Sequence, residues 1–476
     1  MPGRFLNAFK PIAVLMPEVK APERKVGFGE KLFWTAIVLV IYLIMTEIPI
    51  YGIELSGTSD PLLYLRVLFA SNRGTLMELG IQPIVTAGLI LQLLAGSGII
   101  NVDFSNSEDR AVFTSITKFF SILMTIFLAS AYLFGGVYGP IGLEKSLYIF
   151  IQLIAAGLVV MLLDELLQKG WGLGSGISLF ILAGVAQKIL WSCFYMFPVE
   201  EGGRAFGAII AYIQALFAGE DPLRSFYFRS NPDWPTMMGF IATILLFVVV
   251  VFFEDMKIEL PIAHSRFRGF RGRYPVKLLY VSNIPVILVS ALFMDFYFVA
   301  QILWSRFHEH ETFGFFIKVL GDFNASNPSQ PVGGIAYYIS APRNFATVMQ
   351  DPLRALIYAT LLTLFCVLLA MVWIEVGGLG PRSVAEQLVD SGMQIPGFRR
   401  SAKIIESILD RYISTVTILG ALIVGLIASC ADFFGVFGTG MGVLLSVGII
   451  NQYYQIFIQE QLIDMNPIVR RFIGRG

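Results

Sequence analysis

The sequence has few charged side chains and very little cysteine or histidine. Charged residues make up 14% of the 476 positions, whereas about a quarter is usual for a soluble domain. Polar surface is therefore too scarce to solvate a fold of this size in water. The three cysteines, Cys193, Cys366 and Cys430, are scattered and give neither a disulfide framework nor metal-ligand spacing. Three histidines form no HExxH-type pattern, and no GxSxG nucleophile motif occurs, so we predict no catalytic residue, cofactor or metal.

Long apolar runs take the place of charge. Hydrophobic residues make up 56% of the chain, and its mean hydropathy is +0.72. A helix rises about 1.5 Å per residue, so roughly 20 residues cross the ~30 Å hydrocarbon core of a bilayer. Runs of that length predict ten membrane spans, at 33–53, 79–100, 116–138, 147–167, 174–197, 237–253, 278–304, 355–375, 412–434 and 439–459. We therefore predict a polytopic α-helical membrane protein.

Positively charged residues are concentrated in every second loop between these spans, that is, on one side of the membrane. Roughly two-thirds of the 34 Lys and Arg residues fall on one side, and cytoplasmic loops retain such residues. An even number of spans places both termini on that side. The predicted segments outside the spans are a cytoplasmic N-terminal segment at 1–32, a non-cytoplasmic loop at 198–236, cytoplasmic loops at 254–277 and 376–411, and a cytoplasmic tail at 460–476.

Ten spans divide into two halves of five, at 33–197 and 237–459. An odd number of spans per half inverts the second half relative to the first, an arrangement typical of secondary transporters. An ion-coupled transporter would need ionisable groups near the middle of the membrane. Carboxylates within or beside spans are Glu47, Asp164, Glu165, Asp295 and Asp432. None of these is clearly central, although Asp295 is the closest to a midplane, which weakens the transporter hypothesis without excluding it.

A short apolar segment follows the first span. Asp60 and Pro61 are a capping residue and a first-turn proline, and the polar stretch 71–74 ends the segment. About ten helical residues reach only ~15 Å, so the segment cannot span. It is either an amphipathic helix at the membrane interface or a re-entrant element buried among other helices.

The loop at 254–277 is the most basic in the chain. Its stretch RFRGFRGRY at 266–274 interleaves arginine with aromatic residues, and both kinds of side chain bind RNA. The loop could instead retain topology or bind anionic lipid. A second basic cluster, Arg399, Arg400 and Lys403, falls on the same predicted side.

Four longer strings carry a resemblance to a known family. They are ASNRGTLMELGIQPIV at 70–85, DELLQKGWGLGSGIS at 164–178, SNIP at 282–285 and PVGGIAYY at 331–338. In order and spacing they closely resemble the SecY family in its eukaryotic form, the alpha subunit of the endoplasmic-reticulum protein translocon. The resemblance covers essentially the whole chain. It implies an all-α membrane protein with ten transmembrane helices in two inverted five-helix halves and a short plug helix, here at 60–74.

The resemblance also implies a function. The family forms the pore of a protein-conducting channel, which translocates signal-bearing polypeptides across the endoplasmic reticulum membrane and releases transmembrane segments sideways into lipid. Implied partners are the translocon beta and gamma subunits in a heterotrimer, the ribosome with its ribosomal RNA, signal peptides and nascent chains, post-translational accessory subunits, a lumenal chaperone and lipid. The non-cytoplasmic side is then the lumen. The alternative remains an ion-coupled secondary transporter.

Residue roles are implied position by position. The family's apolar pore ring matches Ile81, Val85, Ile177, Ile181, Ile287 and Leu445. Its plug matches Leu62, Leu65, Arg66, Leu68 and Phe69. Its ribosome contacts match Arg268 and Arg399, with neighbours Arg266, Arg273, Arg400 and Lys403.

The resemblance departs from the family pattern at the lateral gate. Thr86 matches a polar gate position, but Leu128 stands where glutamine is common and Asp295 where asparagine is common. Leucine cannot hydrogen-bond across the gate, whereas aspartate adds a charge. The balance between the open and closed gate is therefore expected to differ from that of the family pattern.

Overall fold

The computed structural model of the chain is nearly all helical and describes most of its residues. These are residues 16–53, 66, 69–96, 99–100, 102, 107–134, 138, 141–198, 203–229, 234–264, 271–279, 284–307, 314–324, 327–342, 345–394 and 401–465. In chain order the described helices are α1 (Phe28–Glu47), α2 (Gln82–Gly96), α3 (Ser107–Phe134), α4 (Leu143–Leu166), α5 (Gly176–Phe194), α6 (Ala208–Phe217), α7 (Pro222–Tyr227), α8 (Met237–Asp255), α9 (Ile284–Phe307), α10 (Gly314–Leu320), α11 (Gly334–Ile339), α12 (Phe345–Gln350), α13 (Pro352–Val376), α14 (Pro381–Asp390), α15 (Ala402–Phe433) and α16 (Gly440–Met465).

Each of the ten predicted spans coincides with one of these helices. Nine helices in the described part of the chain are long and apolar enough to cross a membrane. The span predicted at 79–100 is helical only over Gln82–Gly96, which is 15 residues and about 22 Å. Residues 75–81 before α2 form turns instead, which shortens this span relative to the prediction.

Side chains at helix ends satisfy backbone groups that helices leave without partners. Thr236 Oγ1 accepts a hydrogen bond from Gly239 N at the start of α8, and Asp351 accepts one from Arg354 N at the start of α13. Asp164, at the end of α4, accepts a hydrogen bond from Ile177 N in the first turn of α5 at 3.0 Å. Asp164 therefore joins two spans through a cap.

A small sheet on the predicted cytoplasmic side was not anticipated from the sequence. Strands β1 (Lys257–His264) and β2 (Arg271–Lys277) form an antiparallel hairpin within the loop predicted at 254–277. Strands β3 (Asp322–Asn324) and β4 (Asn327–Gly333) form a second hairpin elsewhere. Strand β5 (Met393–Gln394) pairs with the end of β1. The first sheet therefore joins two loops that are distant in sequence.

The segment predicted as a loop at 376–411 is largely helical. It contains α14 and the first turns of α15, because apolar side chains there bury against the β1–β2 hairpin. Leu260 and Val276 of the hairpin form one apolar cluster with Leu388 of α14 and Ile405 and Leu409 of α15. Helix α15 therefore extends well beyond the predicted span.

The main apolar cluster takes residues from both predicted halves. Val38 of α1 and Ile181 of α5 belong to it together with Val289 of α9 and Leu445 of α16. Helix α5 packs against α16, and α2 packs against both α9 and α13. The two halves therefore meet along two lines of contact, and the α2–α9 contact is the seam discussed below.

Candidate pore and lateral gate

All six residues predicted to form the pore ring lie in the main apolar cluster. They come from the residue before α2 and from α2, α5, α9 and α16. Ile81, Ile181 and Leu445 have no exposed surface, and Val85, Ile177 and Ile287 are partly buried residues packed against the same cluster. None of the six side chains is exposed.

The helices that carry the predicted ring residues pack together in pairs, α5 with α16 and α2 with α9. Ile177 and Ile181 are four residues apart on α5 and therefore share one face of that helix. Ser290 Oγ of α9 lies 3.3 Å from Met441 Sδ of α16. That contact lies one turn from Ile287 and one turn from Leu445, so it holds the two helices that carry these side chains together. Branched apolar side chains so arranged can exclude water from a narrow passage.

The base of the predicted plug is anchored by a buried ion pair. Arg66 Nη1 lies 2.8 Å from Glu78 Oε1, and Phe69 beside it is fully buried. Leu62, Leu65 and Leu68 of the predicted plug lie outside the described residues. Ser71 Oγ donates to the Glu78 carbonyl oxygen at 2.5 Å, and Gly74 N donates to the Glu78 carboxylate. Glu78 therefore binds three parts of the segment that precedes it.

Gly80 allows the plug base to approach the start of α2. Its φ of 54° lies in the left-handed region, and a Cβ atom there would lie 2.1 Å from the carbonyl oxygen of Phe69. The same oxygen accepts a hydrogen bond from Ile81 N at 2.8 Å. Phe69 of the predicted plug is thus joined directly to Ile81 of the predicted pore ring.

The plug base is also tied to the end of α1. Asn72 Nδ2 donates to the carbonyl oxygen of Thr46 at 2.9 Å. Ile50 N donates to the carbonyl oxygen of Gly74 at 2.9 Å, and Leu76 N donates to that of Ile48 at 3.0 Å. These bonds fix residues 71–76 to α1 independently of the ion pair.

Asp295 joins α9 to α2 across the predicted lateral gate. Its Oδ1 accepts a hydrogen bond from Gln82 Nε2 at 2.9 Å, and its Oδ2 accepts one from Thr86 Oγ1 at 3.1 Å. Leu128 on α3 is buried and packs within the main apolar cluster. Tyr132 of α3 and Phe298 of α9 have ring centroids 4.7 Å apart. The seam between α2–α3 and α9 is therefore closed by both polar and aromatic contacts.

Two residues of this region were missed by the sequence analysis. Glu78 and Gln82 are both fully buried, and they lie inside the string at 70–85 that carried the family resemblance. A buried arginine in the plug requires a counter-ion, and the nearest acidic residue in sequence after Arg66 and before α2 is Glu78. That signal could have identified Glu78; nothing in the sequence singled out Gln82.

Two of the carboxylates considered for a transporter, Asp295 and Asp432, are bound by hydrogen bonds from other helices. Asp432 Oδ2 accepts a hydrogen bond from Tyr358 Oη at 2.9 Å, and its Oδ1 accepts one from Gly440 N at 2.7 Å. Asp432 therefore fixes the turn between α15 and α16 against α13. Like Asp295, it is bound by neutral groups from other helices.

The predicted ribosome contacts are only partly described. Arg266, Arg268, Arg399 and Arg400 lie outside the described residues. The strands that flank them are described, however: β1 and β2 enclose 265–270, and β5 immediately precedes 395–400. His264 of β1 pairs with Met393 of β5, so both basic segments begin beside the same pair of strands. Lys403, in the first turn of α15, is exposed.

Arg273 is the one predicted contact on the hairpin whose partner is described. Its Nη1 lies 2.5 Å from Glu259 Oε2 on the paired strand, and its side chain is largely exposed. The hydrogen bond from Arg273 lowers the pKa of Glu259, and the same bond raises the pKa of Arg273. Both groups are therefore charged at neutral pH, and Glu259 offsets the positive charge of Arg273.

Comparisons with known proteins agree with this architecture. The SecY family model matches residues 75–454, and the model for the plug domain of Sec61p matches residues 40–74. Protein transport protein Sec61 subunit alpha of Dictyostelium discoideum is 44% identical over 469 residues, which cover 96% of this chain and 97% of that protein.

Solved structures are similar over the same extent. A structure of a protein-conducting channel has a TM-score of 0.80 at 36% identity, and the match covers 95% of this chain and 97% of that one. Sec61 in the canine ribosome–channel complex from the endoplasmic reticulum has a TM-score of 0.77 at 36% identity, with the same coverage. The predicted family and helical membrane fold are confirmed, and the chain belongs to the SecY family.

Proposed function

We propose that this chain is the pore-forming subunit of a protein-conducting channel in the endoplasmic reticulum membrane. It passes signal-bearing polypeptides across that membrane and releases transmembrane segments sideways into lipid. The observation that carries the proposal is that Ile81, Ile181 and Leu445, from three parts of the chain, are fully buried in one apolar cluster. Ile81 is also hydrogen-bonded to Phe69 of the anchored plug base. The similarity to a protein transport protein and to a protein-conducting channel supports the same role.

The apolar ring closes the empty pore to water and ions but can widen around a polypeptide. An empty constriction lined by branched apolar side chains excludes water and therefore blocks ions. A polypeptide can displace these side chains without meeting polar groups that would bind it. Transport through the ring makes and breaks no covalent bond, so the chain needs no catalytic residue. Chain elongation by a bound ribosome or an ATP-driven lumenal partner supplies the work.

The plug covers the lumenal side of the ring in the resting channel. Phe69 contributes both a buried side chain and the carbonyl oxygen that binds Ile81 N. Displacement of the plug by a nascent chain would break that bond and separate the two residues. The same movement would break the Arg66–Glu78 pair, which holds the plug in its resting position, whereas the bonds of Asn72 and Leu76 to the end of α1 keep the plug attached.

The seam between α2 and α9 acts as the lateral gate. Opening separates Asp295 from Gln82 and Thr86, and a sufficiently apolar segment compensates for those lost hydrogen bonds by partitioning into lipid. Leu128 contributes apolar packing in the closed gate. Asp295 thus provides the polar contacts on the α9 side.

The basic segments beside the β1–β2 hairpin bind the ribosome. We infer that Arg266, Arg268, Arg273, Arg399, Arg400 and Lys403 contact ribosomal RNA phosphates, which arginine binds in bidentate fashion. The canine relative stands in a ribosome–channel complex, which supports this assignment. In this topology both termini are cytoplasmic. The beta and gamma subunits would complete a heterotrimer, and post-translational accessory subunits and a lumenal chaperone would serve chains released from the ribosome.

Site-specific crosslinking tests the pore directly. A photoreactive amino acid replaces Ile181 in the assembled complex, and a secretory chain is stalled on a bound ribosome. We expect adducts between position 181 and the nascent chain. Leu190, which is exposed on the outside of the same helix, is the matched control and should give no such adduct. Equal yields at both positions, or adducts at neither while crosslinking elsewhere succeeds, would reject the pore.

A further inference from the structure

Helix α6, in the connection between the two predicted halves, carries its side chains in an inverted arrangement. Apart from Tyr212 and Gln214 the helix is entirely apolar. Its small residues, Ala208, Ala211 and Ala215, are buried against the protein. Three of its five large apolar residues are exposed: Ile213 and Leu216 to 46% and 44%, and Phe217 to 89%. A helix on a water-facing surface has the opposite distribution.

The inner face of α6 packs against the protein, and these contacts fix which side chains of the helix face outward. Ala208 forms a small apolar cluster with Cys193 of α5 and Phe437, and Ile209 and Phe240 of α8 pack against it. The Gln214 carboxamide also serves an internal role, because its Oε1 accepts a hydrogen bond from Ala205 N at 2.8 Å. The helix therefore directs its one amide inward and its largest apolar groups outward.

The start of α6 is fixed at the level where α5 ends. Gly207 N donates to the carbonyl oxygen of Tyr195 at 2.9 Å, and Pro198 pairs with Ala205 in an antiparallel bridge. The Arg229 guanidinium donates to the carbonyl oxygen of Ala205 at 2.8 Å and to that of Phe206 at 2.7 Å. Because α5 is a membrane-spanning helix, its end marks the membrane surface.

The outward apolar face continues onto neighbouring elements. Exposed apolar or aromatic side chains lie at the end of α5, in and after α7, and on the first turns of α8; they are Trp191, Phe194, Leu223, Tyr227, Phe228, Ile241 and Ile244. Aromatic side chains concentrate where a bilayer meets water. The charged residues Glu220, Asp221 and Arg224 are confined to the turn and short helix that follow α6. Helix α6 itself carries no charged residue, as an element inserted among acyl chains requires.

We propose that α6 and α7 form an interfacial element that inserts into the non-cytoplasmic leaflet of the bilayer. Its ligand is the lipid surface itself, and Ile213, Leu216 and Phe217 lie among the upper acyl chains. The ten residues of α6 reach about 15 Å, too short to cross the membrane but sufficient to lie along its surface. This inference goes beyond the proposed function. It depends on the proposed function only in that the non-cytoplasmic leaflet is then the lumenal leaflet of the endoplasmic reticulum membrane.

Insertion of α6 into lipid attaches the segment that connects the two predicted halves to the bilayer. Helix α6 contacts both α5, the last span of the first half, and α8, the first span of the second. An element held in the leaflet at this position restrains the connection while the seam on the α2–α9 side opens. The thickness and packing of that leaflet then act on the relative movement of the halves.

An environment-sensitive fluorescent amino acid at position 217 tests the insertion. The assembled complex is reconstituted in phosphatidylcholine vesicles that contain a nitroxide-labelled phospholipid, and iodide is the aqueous quencher. Two control positions are matched for exposure: Leu245 on the outside of α8 for lipid, and Arg382 on the polar helix α14 for water. We expect the emission at 217 to be blue-shifted and lipid-quenched at least about twofold more than at 382, approaching 245. Quenching by iodide to the same extent as at 382 would overturn the proposal.

A photoreactive amino acid at position 217 in native membranes separates lipid from a protein partner. Lipid adducts alone support the proposal, and an adduct with a protein of discrete mass as the main product overturns it. Neither readout depends on transport. A complex that inserts α6 but fails the Ile181 crosslinking test would refute the pore alone, and the reverse result would refute the interfacial element alone.

Discussion

Arg66 and Glu78 form an ion pair that is almost completely shielded from solvent: 3% of the Arg66 side chain and none of the Glu78 side chain is exposed, with Nη1 and Oε1 2.8 Å apart. Removing one charge from such a pair leaves the other buried and uncompensated, which costs about 3–5 kcal/mol. We therefore expect Glu78→Gln to lower the thermal denaturation midpoint of the purified complex markedly and to increase ion leakage through the resting channel.

The matched control for this variant is Glu144→Gln, at an exposed carboxylate in the first turn of α4. Surface substitutions of this kind are usually within about 0.5 kcal/mol of neutral. A double variant, Arg66→Met with Glu78→Met, removes both charges and should recover much of the lost stability. Denaturation of Glu78→Gln at the same temperature as the parent would contradict the structural role of the pair.

Gly80→Ala should loosen the plug base without changing any charge. A side chain in the left-handed region costs about 1–2 kcal/mol, and here the added Cβ would also collide with the Phe69 carbonyl oxygen. We expect lower thermal stability and a higher resting ion conductance. Gly88→Ala on α2 is the control, because a Cβ there meets nothing within 4 Å. Similar conductance in the two variants would show that the close approach at Gly80 is unimportant.

Asp295→Ala should favour opening of the seam. The substitution leaves Gln82 Nε2 and Thr86 Oγ1 without their acceptor, and a buried polar group left unpaired costs about 1–3 kcal/mol. We expect segments of lower hydrophobicity to enter the membrane, measured as the inserted fraction of a series of test segments with graded leucine content.

The variant Asp295→Asn distinguishes the effect of the Asp295 charge from the effect of its hydrogen bonds. Its carboxamide retains an acceptor, and its NH2 group can donate to Gln82 Oε1, which has no hydrogen-bond partner in the described part of the chain. We expect this variant to insert the test segments nearly as the parent does. Val299→Ala, at an exposed position of the same helix, controls for a general effect on α9. An unchanged insertion threshold in Asp295→Ala would be incompatible with a gate held by these bonds.

The membrane-spanning architecture was predictable because its signal is local. A bilayer of fixed thickness demands about 20 apolar residues per helix. The length of each apolar run can be read from the sequence without knowing what the run contacts. The prediction failed where packing between distant residues decides the structure. Pairing of His264 with Met393 creates the sheet that joins two loops, and the turns before α2 depend on Glu78 and Gly80 meeting the plug base.

The candidate site was predictable to a different degree. The six ring positions came from family resemblance, since their apolar character alone equally fits ordinary core packing. Asp295 was noticed as a charge in a span, but its partner Gln82 was not, because a glutamine within an apolar run carries no pattern that identifies what it binds. The inverted arrangement of α6 likewise requires the structure, since burial decides which face of an apolar helix points outward.

Ile181→Ser should weaken the seal of the resting channel. Ile181 is fully buried, and in the proposed ring a hydroxyl at this position would let water enter a constriction that apolar groups keep dry. We expect a several-fold rise in ion conductance of reconstituted complexes in the absence of a translocating chain. Leu190→Ser on the outside of the same helix should leave the conductance unchanged. Equal conductance in both variants would place the seal elsewhere.

Removing positive charge and removing negative charge around the β1–β2 hairpin should shift the affinity for the ribosome in opposite directions. Arg268→Gln with Arg399→Gln removes two predicted phosphate contacts, whereas Glu259→Gln removes the carboxylate that offsets Arg273. Each phosphate contact contributes about 0.7–0.9 to the slope of log affinity against log salt concentration. We therefore expect the double variant to bind more weakly with a shallower slope, and its deficit to be largest at low salt. Glu259→Gln should bind more tightly at low salt.

The effect of Glu259→Gln should also be independent of pH near neutrality. Because Arg273 lowers the pKa of Glu259 below its usual value of 4.5, the native carboxylate loses its charge only as pH falls through that lowered pKa. The charge difference between parent and variant is therefore constant from about pH 6 to 8. Titrations of fluorescent complex with ribosomes across salt and pH measure both effects. Identical salt slopes in the parent and the double variant would mean that neither arginine contacts a phosphate.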